Sequence, residues 1–94
     1  MKTLILYSKP GCHLCEGLAE KLAQSQLPFT LEVRDITQNP EWFQKYQYEI
    51  PVLCKLSQQA SGLAEQALPR LSPRAPLRQV ERMLRNHLNF STVE

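Results

Sequence analysis

The first part of the chain shows two different hydrophobic patterns in succession. Residues 3–7, TLILY, form a nearly continuous apolar run, which is typical of a strand buried on both faces of a sheet. From Cys12 to about Ser25, leucines recur every fourth residue with charged residues between them, which predicts a helix with one apolar face. Pro10 and Gly11 separate the two patterns, so we expect a strand, a turn and a helix in that order.

A second strand and a second helix are predicted next. Residues 29–35 alternate apolar and polar side chains, which predicts a strand with one wetter face, suited to the edge of a sheet. Asn39 and Pro40 form a helix-start signal, and we expect that helix to end near Tyr48. Three aromatic side chains are expected to point inward from it: Trp42, Phe43 and Tyr46.

The remaining segments predict a hairpin and a last helix. The apolar run at 50–56 predicts a buried strand, residues 57–62 a polar turn, and residues 63–71 a weaker partner strand. Ser72 is expected to cap a helix that runs to about His87. The buried stripe of this helix is expected to contain Leu77, Val80, Leu84 and Leu88.

The predicted order of elements, β-α-β-α-β-β-α, places the chain in the α/β class. The first two strands are joined through a helix and should run parallel with a right-handed crossover, whereas the last two should form an antiparallel hairpin. A chain of 94 residues has room for one domain, so we take residues 1–94 as a single domain.

Composition and charge narrow the possible partners. A hydrophobic content of 43%, a charged content of 21% and a net charge of +2 are ordinary for a globular protein and indicate neither a nucleic-acid nor a membrane partner. The opening apolar run is shorter than the roughly 7–15 residues of a secretion signal or the about 20 of a membrane span, so we expect a cytoplasmic protein. Four arginines on the last helix are interpreted as a solvated face, since no aromatic residues are interleaved with them: Arg74, Arg78, Arg82 and Arg85.

Two of the three cysteines, Cys12 and Cys15, stand three positions apart at the predicted start of the first helix. Positions three apart lie on one helix face, with about 5–6 Å between their β-carbons. A disulfide needs α-carbons about 4.4–6.8 Å apart, so the two cysteines are close enough to form one. The first amides of a helix lower the pKa of a thiol, and Lys9 and a protonated His13 would act in the same direction. Cys15 lies one turn deeper on the apolar side. These features favour Cys12 as the attacking thiolate and Cys15 as the resolving thiol.

Residues outside the Cys-x-x-Cys pair complete the predicted site. Pro51 opens the third strand through an Ile50–Pro51 bond, where a cis peptide costs only about 0.5–1 kcal/mol relative to trans. A cis bond there would expose Ile50 for pairing with an extended substrate. Tyr7 is expected to line the site from the end of the first strand, and Cys54 is expected to be a core residue.

Two segments carry a family resemblance. LYSKPGCHLC at 6–15 and VRDITQNPEWFQKYQYEIPVL at 33–53 resemble the glutaredoxin-like branch of the thioredoxin-fold proteins. The resemblance implies a thioredoxin-like, four-stranded mixed sheet in the order 2-1-3-4, with helices 1 and 3 on one face and helix 2 on the other. It also implies a thiol–disulfide oxidoreductase in which Lys9 stabilises the Cys12 thiolate, Cys15 resolves the mixed disulfide and Pro51 is cis.

The resemblance also bears on partners and cofactors. A glutaredoxin usually has proline where this chain has His13, and Thr-Val before the cis-proline where it has Glu49 and Ile50. The turn that holds glutathione in the family has no counterpart at residues 71–75. We expect a monomer without a resident cofactor, acting on a disulfide-containing protein or with glutathione as reductant or co-substrate, and supplied by a thiol reductase system.

Two other functions remain open at this point. Zinc requires four ligands, and the adjacent Cys12 and His13 do not easily hold one ion, so we expect no metal site within the chain. An iron–sulfur cluster shared by two chains through Cys12 stays an alternative by analogy with some glutaredoxins. A non-catalytic interaction module is the third hypothesis, with the Ile50–Pro51 groove or the arginine helix holding a partner.

Overall fold

The computed structural model describes residues 2–60, 62–72 and 74–88, apart from the side chains of Gln58 and Gln59. Within these residues the elements are β1 (Lys2–Ser8), α1 (His13–Gln24), β2 (Phe29–Asp35), α2 (Pro40–Tyr46), β3 (Val52–Gln59), β4 (Gly62–Ala67) and α3 (Leu77–His87). A short 3-10 helix, Ile36–Gln38, joins β2 to α2. The order β-α-β-α-β-β-α is the predicted one.

The strands form one mixed sheet in the order β2-β1-β3-β4. β1 runs parallel to β2 and antiparallel to β3, and β3 pairs antiparallel with β4. The implied strand order is therefore confirmed, with β1 and β3 at the centre and β2 and β4 at the edges. The central place of β1 agrees with its continuous apolar run, since every residue from Leu4 to Tyr7 is buried.

Helices α1 and α3 cover one face of the sheet with an aliphatic core. Leu4 and Leu6 point to this face from β1 and pack with Leu22 of α1. Val80 and Leu84 of α3 belong to the same cluster and are buried, as the predicted stripe required. The spacing of two along the strand and four along the helices is the expected periodicity of a shared apolar face.

The opposite face carries α2 over a more aromatic core. Its buried members are Ile5, Tyr7, Ile36 and Cys54, with Trp42 and Tyr46 packed against them. The prediction that Cys54 is a core residue is confirmed, since its exposure is 2%. The prediction for Phe43 is wrong, since it is 37% exposed. Trp42 and Tyr46 are four positions apart on the inner side of α2, and Phe43 is rotated by about 100° from Trp42.

Helix α3 begins at Leu77 and not directly after Ser72, so the predicted cap is wrong. Proline disfavours helical backbone at the residue before it, so Pro76 keeps Ala75 out of the helix. Pro76 occupies the N-cap position without a side-chain hydrogen bond. The Ser72 hydroxyl instead accepts a hydrogen bond from the Arg74 amide at 3.2 Å, within the turn that leads to α3.

Further boundaries differ from the sequence prediction, and β4 covers Gly62–Ala67 instead of residues 63–71. β3 continues to Gln59 instead of ending at residue 56, and its polar end pairs with β4 down to Gly62. α2 ends at Tyr46, two residues earlier than expected. The ladder hydrogen bonds of a two-stranded ribbon need no apolar side chains, so the hydrophobic pattern did not indicate this extension.

Candidate functional site

The tight turn between β1 and α1 places Cys12 at the start of the helix. Gly11 adopts a φ of 82°, a conformation that residues with a side chain rarely adopt. The Cys12 amide donates to the Lys9 carbonyl at 3.3 Å and closes the turn. Cys12 has extended backbone and is the N-cap residue of α1. Cys12 therefore lies at the end of the turn that follows β1, directly before the first residue of α1.

A disulfide joins the two cysteines of this first turn. Cys12 and Cys15 have α-carbons 5.3 Å apart, within the range expected from their spacing. The Cys12 sulfur also accepts a hydrogen bond from the Cys15 amide at 3.2 Å, as the side chain of an N-cap residue does. Cys12 is half-buried, whereas Cys15 is 1% exposed. The pair thus has one sulfur near solvent and one covered by protein.

The start of α1 favours negative charge on the Cys12 sulfur. The first amides of a helix have no partners within the helix, and they carry the positive end of its dipole. The Glu16 amide donates to the Cys12 carbonyl at 3.0 Å, which shows that the first turn is formed from its first residue. Reduction of the disulfide would leave the Cys12 sulfur beside the Cys15 amide, in a position that stabilises a thiolate.

Lys9 and His13, the two residues predicted to tune Cys12, are both exposed. The His13 side chain is 94% exposed, and its Nδ1 lies 3.6 Å from Oε1 of Glu16, so it lies beside an acid of its own helical turn. Lys9 contributes its backbone carbonyl to the turn before Cys12. The influence of both side chains on the thiolate stays a prediction.

The Ile50–Pro51 peptide bond is cis, as the resemblance implied. The Ile50 amide donates to the Tyr46 carbonyl at 3.1 Å, so pairing of Ile50 with an extended substrate would use its carbonyl oxygen. Arg70, in the segment after β4, donates to the carbonyls of Glu49 and Pro51, the latter at 3.4 Å. Sequence reasoning missed Arg70, because a lone arginine in a loop segment carries no pattern that connects it to a distant proline.

The Tyr7 ring is buried on the α2 side of the sheet. It is 2% exposed and stacks on Tyr46 with the ring centres 4.3 Å apart. Its hydroxyl donates to the Glu65 carboxylate and accepts a hydrogen bond from Arg34 at 2.9 Å. Burial and then the Glu65 carboxylate raise the pKa of Tyr7 above its ordinary value. Little of this side chain is left for a substrate to contact, and the substrate-binding role of Tyr7 stays a prediction.

Arg34 completes a polar network across the same face. Its Nη1 donates to Glu65 at 3.1 Å, and its Nε donates to Glu32. The guanidinium lies 5.0 Å from the centre of the Trp42 ring, at a distance suited to a cation–π contact. Because Arg34 is on β2 and Glu65 on β4, this network connects the two edge strands of the sheet.

The third cysteine has the opposite environment to Cys12. Cys54 is free, lies on β3 and is 2% exposed. Burial raises the pKa of its thiol above the ordinary value. A neutral and covered thiol is a poor nucleophile, so Cys54 serves the packing of the core.

Further expectations concern metal and cofactor binding, the oligomeric state and the cellular location. Within the part of the chain that the structure describes, no three histidine, cysteine, aspartate or glutamate side chains come together as a possible metal site. No helix in the same residues is long and apolar enough to cross a membrane. The absence of a resident cofactor, the monomeric state and the cytoplasmic location stay predictions.

The sheet order, the placement of the helices and the disulfide at the start of α1 define a thioredoxin-like fold, and solved structures agree. The crystal structure of the Trx4 domain of ERdj5 matches with a TM-score of 0.63 at 12% identity, over 95% of this chain and 81% of that chain, and this likeness concerns the fold alone. The X-ray structure of the structural-genomics target protein XcR50 from X. campestris matches with a TM-score of 0.52 at 29% identity, over 84% of this chain and 95% of that chain.

The sequence identifies the family. The model of the Glutaredoxin-like domain family (DUF836) matches residues 3–85. The chain therefore belongs to this family, which confirms the resemblance of its two motif segments. No curated protein matches the sequence. The family, the fold and the Cys12–Cys15 pair together support a redox role.

Proposed function

We propose that the chain is a thiol–disulfide oxidoreductase in which Cys12 attacks a substrate disulfide and Cys15 resolves the intermediate. The observation that carries this proposal is the position of the Cys12 sulfur at the N-cap of α1, bonded to Cys15 and accepting a hydrogen bond from a first-turn amide. One sulfur lies near solvent and the other is covered, which suits an attacking and a resolving member of one couple.

The reaction is a two-step exchange. In the reduced chain the Cys12 thiolate attacks one substrate sulfur, a Cys12–substrate bond forms, and the other substrate sulfur leaves as a thiolate that takes up a proton. Cys15 then loses its proton and attacks the Cys12 sulfur, which releases the second substrate thiolate. Two electrons pass from the chain to the substrate, and the Cys12–Cys15 disulfide is the oxidised product.

The cycle needs a two-electron donor that reopens the disulfide. Two molecules of glutathione, or the dithiol of a reductase, would each supply these electrons by the same exchange in reverse. Disulfide-containing proteins and mixed disulfides with glutathione are the substrate classes in this proposal. Lys9 and His13 would add positive charge near the thiolate, and the Ile50 carbonyl beside cis Pro51 would align the substrate backbone.

A single-turnover assay tests the proposal. Reduced protein is mixed with a peptide disulfide, and the loss of protein thiols is followed after acid quenching. Cys12→Ser should lower the rate to the uncatalysed background, because the two remaining thiols, Cys15 and Cys54, are both buried. Cys54→Ser is the matched control and should keep the rate within about twofold, because its thiol is buried. Reduction at the wild-type rate by Cys12→Ser would refute the assignment.

A further inference from the structure

A cavity of about 190 Å³ opens beside the cis proline, between α1, α3 and the segment that follows β4. Its walls are mostly aliphatic and include Leu14, Leu18, Pro51, Leu68, Leu71 and Met83. An apolar cavity of about 150 Å³ in another protein holds a benzene molecule. The volume beside Pro51 is therefore large enough for the side chain of a leucine or a phenylalanine.

Leu14 links the cavity to the first turn of α1, which holds the disulfide. Leu14 stands between Cys12 and Cys15 in the first turn of α1, and its side chain forms part of the cavity wall. It is 53% exposed, although the four-residue spacing of leucines predicted a buried position. Because Leu14 extends an aliphatic wall that already includes Leu18 and Pro51, its exposed part belongs to a continuous apolar surface that a ligand can contact.

The wall of the cavity also carries positive charge. Lys21 and Arg70 belong to it, and no aspartate or glutamate is found among its described residues. Arg70 is exposed and donates to two uncharged carbonyls, those of Glu49 and Pro51. Its guanidinium takes part in none of the ion pairs between described residues. A carboxylate that arrives with a ligand would therefore find a partner in Arg70.

We propose that this cavity is a side-chain subsite for a polypeptide substrate. A large apolar side chain next to the substrate cysteine enters the cavity, and an acidic residue on the other side of that cysteine meets Arg70. Glutathione has only a glycine and a γ-linked glutamate around its cysteine, so it has no side chain that fills the cavity. The inference rests on the proposed oxidoreductase function and names its substrate class, polypeptides with apolar–cysteine–acidic sequences.

Two symmetric peptide disulfides test the subsite, one built from Leu-Cys-Glu and one from Gly-Cys-Glu. The second-order rate constant of the reduced protein should be about 10-fold higher for the leucine peptide, the factor expected from burying part of one apolar side chain. Leu14→Ser and Arg70→Gln should each lower the rate for the leucine peptide about threefold. Leu63→Ser removes an exposed leucine from β4 on the α2 side of the sheet and, as the matched control, should keep the wild-type rates.

A second measurement observes the cavity itself. The chain has two methionines, and Met83 is part of the cavity wall. In a Cys15→Ser, Cys54→Ser double variant labelled with methyl-¹³C methionine, the mixed disulfide with the leucine peptide should shift the Met83 methyl resonance, whereas the glycine peptide should not. Equal rates and an unmoved Met83 resonance would overturn the subsite and leave the oxidoreductase standing. Failure of both peptides to react would overturn the two proposals together.

Discussion

The start of α1 and the α2 side of the sheet both contain cysteine, but they place the thiol in opposite environments. At α1, Cys12 is half-buried and its sulfur accepts a hydrogen bond from a backbone amide. On β3, Cys54 is 2% exposed, and burial raises the pKa of its thiol. The reactivity of a cysteine therefore depends on where the backbone places its sulfur.

The two regions also differ in how completely they are filled. On the α2 side, Tyr7, Arg34 and Glu65 bond to one another, and aromatic rings pack against Tyr7 and Arg34. Between α1 and α3, the aliphatic side chains leave a cavity of about 190 Å³ beside Pro51. The filled side stabilises the sheet, whereas the cavity, whose wall includes Leu14 beside Cys12, has room for a ligand.

The largest expected effect is on thiol alkylation in the fully reduced protein. Cys12 should react with iodoacetamide near neutral pH about 100-fold faster than Cys54, because a buried thiol reacts only when the structure opens locally. Mass spectrometry of quenched and digested samples gives the two rates. Unfolding in urea is the control and should bring the rates together. Similar alkylation rates of Cys12 and Cys54 in the folded protein would show that the two regions do not differ in thiol reactivity.

A smaller effect should appear in stability when the α2-side network is cut. Arg34→Gln should lower the free energy of unfolding by about 1–2 kcal/mol, because it removes the hydrogen bonds to Tyr7 and Glu65 at a partly solvated position. Urea unfolding followed by the fluorescence of the single tryptophan measures the change. Arg82→Gln on the exposed side of α3 is the matched control and should stay within about 0.5 kcal/mol of the wild type. Equal losses in the two variants would show that the network adds nothing.

The same network predicts a dependence of stability on alkaline pH. The folded-state pKa of Tyr7 lies above the ordinary value of 10.0, through burial first and the Glu65 carboxylate second, so only the unfolded chain releases the proton near pH 10. The contribution of Tyr7 to stability is complete below about pH 10 and decreases above it, by at most about 1.4 kcal/mol per pH unit. Tyr7→Phe should therefore lose less stability than the wild type between about pH 10 and 11, as measured by urea unfolding. If the wild type and Tyr7→Phe lose the same stability over this pH range, Tyr7 ionises in the folded protein as it does in the unfolded chain.

The smallest expected effect concerns His13. Its side chain is 94% exposed and lies beside Glu16, so His13→Ala should change the alkylation rate of Cys12 by less than about twofold. Glu16→Gln removes the neighbouring charge and serves as the companion variant. A tenfold decrease on replacing His13 would move the origin of Cys12 reactivity from the helix start to this side chain.

The structural features that depend on a local sequence pattern could be predicted from the sequence. The apolar run of β1, the leucine spacing of α1 and the three-residue separation of Cys12 and Cys15 each act within a few residues. The start of α3 differs from the prediction because Pro76 disfavours helical backbone at Ala75, and this effect overrides the cap signal of Ser72.

The parts that depend on distant contacts could not be predicted in this way. The network of Arg34 and Glu65 requires the order of all four strands, since the two residues lie on opposite edges of the sheet. The hydrogen bonds of Arg70 to the carbonyls around Pro51 join two loops that no periodicity relates. Leu14 is 53% exposed in the wall of a cavity, and that cavity is a property of the packed structure.

We expect the start of α1 to make Cys12 a reactive thiolate, and the pH dependence of Cys12 alkylation measures this reactivity. In the Cys15→Ser, Cys54→Ser double variant, Cys12 is the only thiol of the chain, and the backbone amide of residue 15 is retained. The alkylation rate should reach half of its plateau well below pH 8.5, the value for an ordinary thiol, because the first-turn amides stabilise the thiolate. A half-point at about pH 8.5 or above would show that the first turn of α1 does not stabilise the Cys12 thiolate.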